Sequence, residues 1–209
     1  KYDWVGFKKY KRVINDQEYQ DAAKFTFIYV IVSVVIEIIL GLFLAFLFNR
    51  RIYGRGFMRS LMILPIFATP FAIGFMFFTI LFEISGPLAW MGIPFLSNHN
   101  WAPFSVMLVD VWQWTPFCFL VFLAALQGIP DDLIEAATLD TKSAYKIWTS
   151  VILPLLQPII VLVILLRVAE SAKLYDYIAS LTKGGPGTAT QSVSFLVFNK
   201  AFKMNDFGY

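Results

Sequence analysis

The residues able to do chemistry in this chain are few, and their spacing suits binding and force transfer rather than bond breaking. No Gly-x-x-x-x-Gly-Lys-Ser/Thr loop is present to cradle phosphates, so the chain is not expected to hydrolyse ATP itself. No Ser/His/Asp or Cys/His set is available either, and the chain is not read as an enzyme. The single cysteine, Cys118, sits in an apolar stretch and cannot form an internal disulfide. The single histidine, His99, has no ligand company and reads as a solvated loop residue, so neither a metal nor a cofactor is expected. What remains is a set of polar groups inside apolar stretches: Glu37, Asp110, Gln113, Arg167 and Glu170. An ionised group at bilayer depth is expensive and must face protein or a wet cavity. For Glu37 two readings stand, a pathway or interface residue and a structural partner for a neighbouring helix. Arg167 and Glu170 lie three apart, hence on one helix face, where they can pair with each other.

The elements that must hold these groups are membrane spans. The chain is 58% hydrophobic and only 15% charged, with 22 Phe and six Trp, whereas a soluble domain averages about 25% charged. The net charge of +3 gives no reason to expect nucleic acid. Four stretches are long enough to cross a hydrocarbon core, at about 25–48, 57–82, 104–126 and 155–177. Pro65 and Pro70 are expected to bend the second, because each removes a helix hydrogen bond. Before the first span, residues 1–24 are polar and carry Trp4, Phe7, Tyr10 and Tyr19, aromatic residues of the kind found at membrane interfaces. No signal peptide is read there. Arg50, Arg51, Arg55 and Arg59 form a dense basic loop, which puts that loop in the cytoplasm, and two crossings later the loop 127–150 falls on the same side. A raw count points the other way, with six Lys or Arg in 1–24 against four in 49–59.

The polar segment from Gly128 to Pro158 looks built to present a helix. Pro130 suits a first helical position, and Asp131, Asp132 and Glu135 load the first turns with negative charge. Ala136 and Ala137 leave room for close approach by a partner. Asp140 and Thr141 can break and re-cap the chain before a second helical run from about Lys142.

This segment resembles the cytoplasmic coupling loop of binding-protein-dependent ABC importer permeases. That motif is Glu-Ala-Ala, three residues, Gly, nine residues, then Ile-x-Leu-Pro. Here Glu135-Ala136-Ala137 is followed by three residues, Thr141, nine residues and Val151-Ile152-Leu153-Pro154. Thr141 stands where the family has Gly, and a β-branched residue disfavours positive φ, so a different turn is expected. Further runs resemble the carbohydrate-uptake branch. They are Asn49-Arg50-Arg51 with Gly54-Arg55-Gly56 and Leu64-Pro65, and Val109-Asp110-Val111-Trp112 with Thr115-Pro116-Phe117 and Gln127-x-Ile129-Pro130. The last is Thr182-Lys183-Gly184-Gly185-Pro186-Gly187 with Asp206-Phe207-Gly208-Tyr209.

The resemblance implies an all-α membrane fold, a type I ABC importer permease bundle forming one domain over 1–209. Its coupling loop would occupy 128–153 and an extracytoplasmic segment 180–209. Beside six core helices in that family, the four spans match the second to fifth, so the first and last are expected outside the chain. It implies a multi-pass protein of the cell membrane that forms the path for a sugar. Its partners would be two ATPase subunits, a second permease (usually a paralogue) and an extracytoplasmic solute-binding protein. Asp131, Leu133, Glu135, Ala136, Ala137, Asp140, Thr141, Leu153 and Pro154 would meet the ATPase. Gln113, Trp114, Phe117, Arg167, Glu170 and Ser171 would line the solute pathway. Permeases for glycerol phosphate, an amino acid or a metal remain alternatives, as does an unrelated channel or secondary carrier. The sequence lacks the internal repeats common in such carriers.

Overall fold

In the computed structural model, residues 7–49 and 53–205 are described, and among them every regular element is helical. Arg50, Arg51, the Arg55 side chain, Trp4 and the Asp206-Phe207-Gly208-Tyr209 run lie outside the described residues. The order is α1 (Lys8–Ile14), α2 (Gln17–Asn49), α3 (Arg55–Ile63), α4 (Pro70–Leu81), α5 (Trp101–Gln127), α6 (Asp131–Asp140), α7 (Ala144–Ile147), α8 (Leu153–Ser171) and α9 (Val193–Phe198). In lipid a backbone must satisfy its own hydrogen bonds, which is why these apolar stretches are helices.

The helix limits differ from the sequence expectation in instructive ways. α2 begins eight residues before the apolar stretch because Asp16 caps it, its carboxylate accepting from the Glu18 N–H at 3.1 Å. The stretch 57–82 does not merely bend. A 3₁₀ turn over Leu64–Phe67 ends α3, and Thr69 opens α4 with its hydroxyl accepting from the Ala72 N–H while Pro70 takes the first turn. Neither half is long enough to cross a membrane alone, whereas Gln17–Asn49, Trp101–Gln127 and Ala144–Ser171 are each long and apolar enough to do so. The last of these stops at Ser171, short of the expected Tyr177.

The chain divides into two compact units, Lys1–Ser33 with Ala68–Asp110 and Glu170–Tyr209, and Val34–Phe67 with Val111–Ala169. The first is built on a core of Phe25, Tyr29, Ile73, Val106, Val109, Leu174, Tyr177, Ile178, Leu181 and Phe195. Polar clasps close it. Glu18 pairs with Lys200 at 2.7 Å and accepts from the Gln191 amide at 3.1 Å. The Thr26 hydroxyl accepts from the Val193 N–H. The Gly184–Gly187 turn folds back on Thr190, whose hydroxyl donates to the Gly185 carbonyl at 2.8 Å. Gly184 needs to be glycine twice over, at φ +87° and with a Cβ position 2.9 Å from the Phe195 ring. In the loop after α4, Glu83 accepts from the Leu96 and Ser97 N–H groups at 2.6 and 2.7 Å. Burial alone would raise its carboxyl, but hydrogen bonds from the Ser97 hydroxyl and these two amides outweigh it and hold Glu83 below the usual carboxylate range.

In the second unit α2 and α5 touch backbone to backbone at Gly41. A Cβ there would lie 2.6 Å from the Cys118 Cβ and 3.0 Å from the Phe119 nitrogen. Phe48 meets Phe119 edge-on at 5.5 Å just beyond this crossing. Gly41→Ala is therefore expected to lower the stability of the assembled protein by about 1–3 kcal/mol, the usual cost of forcing atoms into a filled core. Thermal melting in detergent reads it, and Cys118→Gly in the same background should recover part of the loss.

Candidate functional site

Two features of the second unit stand out, an undocked helix and a buried ion pair. The helix is α6. Pro130 takes its N-cap rather than its first helical position, and Asp131 and Asp132 occupy the first turn, where carboxylates complement the helix dipole. None of its ten residues is buried. Leu133 is 45% and Leu139 90% exposed, an apolar offer with no occupant in this chain. Glu135, Ala136 and Asp140 are exposed and Ala137 half-buried. Thr141 ends the helix at φ −150° and ψ 138°, extended backbone that threonine favours, so no positive φ is needed and the family glycine can be replaced. The re-capping falls to Ser143 rather than Asp140 or Thr141, its hydroxyl accepting from the Lys146 N–H. α7 is held to α2 by Trp148, edge-on to Phe46 at 5.3 Å. A π turn over Trp148–Ile152 widens the helix before the exposed Leu153 and Pro154, where the proline ring cannot sit over a normal turn.

The buried pair joins Arg167 of α8 to Glu37 of α2. Arg167 Nε lies 2.6 Å from Glu37 Oε2 and Nη2 2.9 Å from Oε1, a two-pronged contact across 130 residues of sequence. Glu37 is fully buried and Arg167 is 2% exposed. The Arg167 Cζ also stands 4.6 Å from the centre of the Trp114 ring, a cation–π contact, and Trp114 meets Phe117 edge-on at 6.1 Å. This corrects the expected Arg167–Glu170 pair. Glu170 is exposed and pairs with Lys173 at 2.7 Å instead, because it lies on the outward side of α8. Of the six pathway candidates, Trp114, Phe117 and Arg167 form one cluster. Gln113 is buried on the same helix as Trp114, and Ser171 is buried in the first unit. Asp110, one turn before Trp114 on α5, is also buried. Glu37 was legible as a charge needing a partner. The partner itself was not.

Helices long and apolar enough to cross a membrane, with a buried ion pair between two of them, define a helical membrane protein. Comparison with known proteins narrows the class. The family model "Binding-protein-dependent transport system inner membrane component" matches residues 37–201. The trehalose/maltose transport system permease MalF of Thermococcus litoralis is 38% identical, over 98% of this chain and 72% of its own length. The multiple sugar-binding transport system permease MsmF of Streptococcus mutans is 31% identical, over 100% of this chain and 74% of its own. A crystal structure of a bacterial alginate ABC transporter, in complex with its alginate pentasaccharide-bound periplasmic protein, superposes with a TM-score of 0.85 at 21% identity, over 98% of this chain and 74% of that one. The chain belongs to the inner membrane component family of binding-protein-dependent transport systems. It is a permease subunit, a membrane protein that transports rather than catalyses.

Proposed function

We propose that the chain forms the translocation path of an ATP-driven sugar importer. In this reading two ATPase subunits dock the coupling helices of two permease subunits, α6 being the one this chain supplies, a second and paralogous permease completes the path, and an extracytoplasmic binding protein delivers the sugar. The observation that carries the coupling half is α6 itself, a ten-residue helix with nothing buried, following one membrane-length helix and preceding another. A rigid rod transmits a displacement that a slack loop would absorb. Asp131, Leu133, Glu135, Ala136, Ala137, Asp140 and Thr141 would form the contact, with Leu153 and Pro154 passing the movement to α8. The sugar half is supported by the sugar-transport roles named for the relatives and by the chemistry of Gln113, Trp114, Phe117 and Arg167. Sugars need hydrogen-bonding side chains for their hydroxyls and an aromatic face for their C–H groups. Glu170 and Ser171 would extend the path along α8.

Uptake by the complete complex in vesicles tests this, with labelled trehalose, maltose and glycerol 3-phosphate offered in turn. Sugar uptake driven by ATP is expected, and Gln113→Ala should reduce it by about tenfold and reorder the preference, the scale of losing one buried hydrogen-bonding partner. Unchanged uptake and unchanged preference in Gln113→Ala would remove Gln113 from the path.

A further inference from the structure

The first unit holds a cavity of about 360 Å³, a size within the range of small-molecule sites. It lies between the early turns of α2, the early turns of α5 and the turn at Thr188-Ala189. Asp21, Lys24, His99 and Thr188 supply its polar groups, and all four are exposed. Phe25, Pro103 and Met107 supply apolar surface. Its frame is fixed by hydrogen bonds. The Asn98 side-chain oxygen accepts from the Asn100 N–H at 2.9 Å and the Trp101 N–H at 3.4 Å, which holds His99 inside a capped turn. The Thr188 carbonyl accepts from the Gln191 N–H at 3.1 Å, and the Thr190 hydroxyl ties down Gly185 just before it. Asp21 accepts from the Gln17 amide at 3.1 Å. A cavity held this way loses little freedom when a ligand enters.

The lining selects a class of ligand. One carboxylate and one ammonium offset each other, so charge favours neither an anion nor a cation. With a hydroxyl and an imidazole they place acceptors and donors in one small space. The apolar surface suits the C–H face of a sugar ring. A neutral, polyhydroxylated molecule matches the set, and the volume suits a short sugar rather than a polymer.

We propose that this cavity is an outer sugar subsite, in which Asp21, Lys24, His99 and Thr188 hydrogen-bond a neutral mono- or disaccharide. With α6 in the cytoplasm and α5 crossing the membrane, it opens on the extracytoplasmic side. Its place on a transport route rests on the reading of the chain as a sugar permease, whereas its ligand class rests on its own residues.

His99 is the one histidine of the chain, so its modification reports on this site. The complete complex would be placed in lipid nanodiscs, which open both faces to solute and contain no sugar detergent. Carbethoxylation of His99 by diethyl pyrocarbonate would be followed by peptide mass spectrometry, with maltose, trehalose or glucuronate present. A neutral sugar at about ten times the concentration that halves the rate should slow the reaction about tenfold, as simple occupancy requires. Asp21→Ala and Lys24→Met should each raise the half-protecting concentration by about tenfold, the scale of losing one charged hydrogen bond. Both residues are exposed, so melting should stay near wild type. Gln113→Ala, in the second unit, should leave protection unchanged.

Failure of both variants to weaken protection overturns the proposal, and so does equal protection by glucuronate. Loss of protection in Gln113→Ala also overturns it, because the sugar would then act on His99 from elsewhere. If vesicles take up maltose or trehalose and neither slows the reaction at His99, the subsite is wrong and the permease reading stands. If His99 is protected as expected and no sugar is transported, the subsite stands and the sugar-permease reading fails.

Discussion

Replacing Arg167 with methionine is expected to destabilise the permease by about 3–5 kcal/mol, because the change strands a fully buried carboxylate at Glu37 without its counter-charge. That is comparable to the whole stability of many proteins, so most of the assembled complex should be lost. Size-exclusion profiles and melting curves of the purified complex measure this directly. The double variant Glu37→Leu/Arg167→Met should recover most of the assembly, since a well-packed apolar pair of similar volume can replace a buried ion pair at little cost. It should not recover sugar transport, because the guanidinium donors and the cation–π contact with Trp114 are gone. A single Arg167→Met protein that melts like wild type would mean that the pair carries little of the second unit's stability. Glu170→Gln is expected to do almost nothing by comparison. That carboxylate is 53% exposed and its pair with Lys173 is worth little in water, so assembly should be unaffected.

Ala136→Pro is expected to abolish uptake while leaving the rest of the protein folded. A proline there removes one helical hydrogen bond, clashes with the carbonyl four residues earlier, and costs the helix about 3 kcal/mol or more. Nothing in α6 is buried within the chain, so the cost falls on the shape of the rod alone. Uptake should fall by at least about a hundredfold, since a break of that size leaves under about one helix in a hundred intact. Melting of the permease should stay within a few degrees of wild type. Ala136→Ser, which keeps the helix, should retain most of the activity. Co-purification of the ATPase subunits with each variant separates loss of docking from loss of transmission. Wild-type uptake by Ala136→Pro would remove α6 from the mechanism.

Both expectations draw on features that differ in how far the sequence revealed them. α6 was legible because every cue for it is local: Asp131 and Asp132 at the start, alanines in the middle, a break at Asp140-Thr141. The same holds for α5 and α8, whose apolar runs leave a lipid-embedded backbone no alternative to a helix. The cap at Ser143 was missed by two or three residues, since several hydroxyl-bearing residues compete there and only geometry selects one. The gap between α3 and α4 was read as a bend because two prolines five residues apart license either outcome.

Local cues determined the class of protein, the helices and the exposed α6 segment, because hydropathy, capping and motif spacing act over a few residues at a time. The tertiary structure decided what the charges do. Arg167 had a plausible partner three residues away in Glu170, yet it turns inward to Glu37, 130 residues distant, while Glu170 faces out to Lys173. Burial makes the difference: a guanidinium away from water needs a counter-charge in the same dry place, and which residue shares that place is set by how α2 and α8 pack.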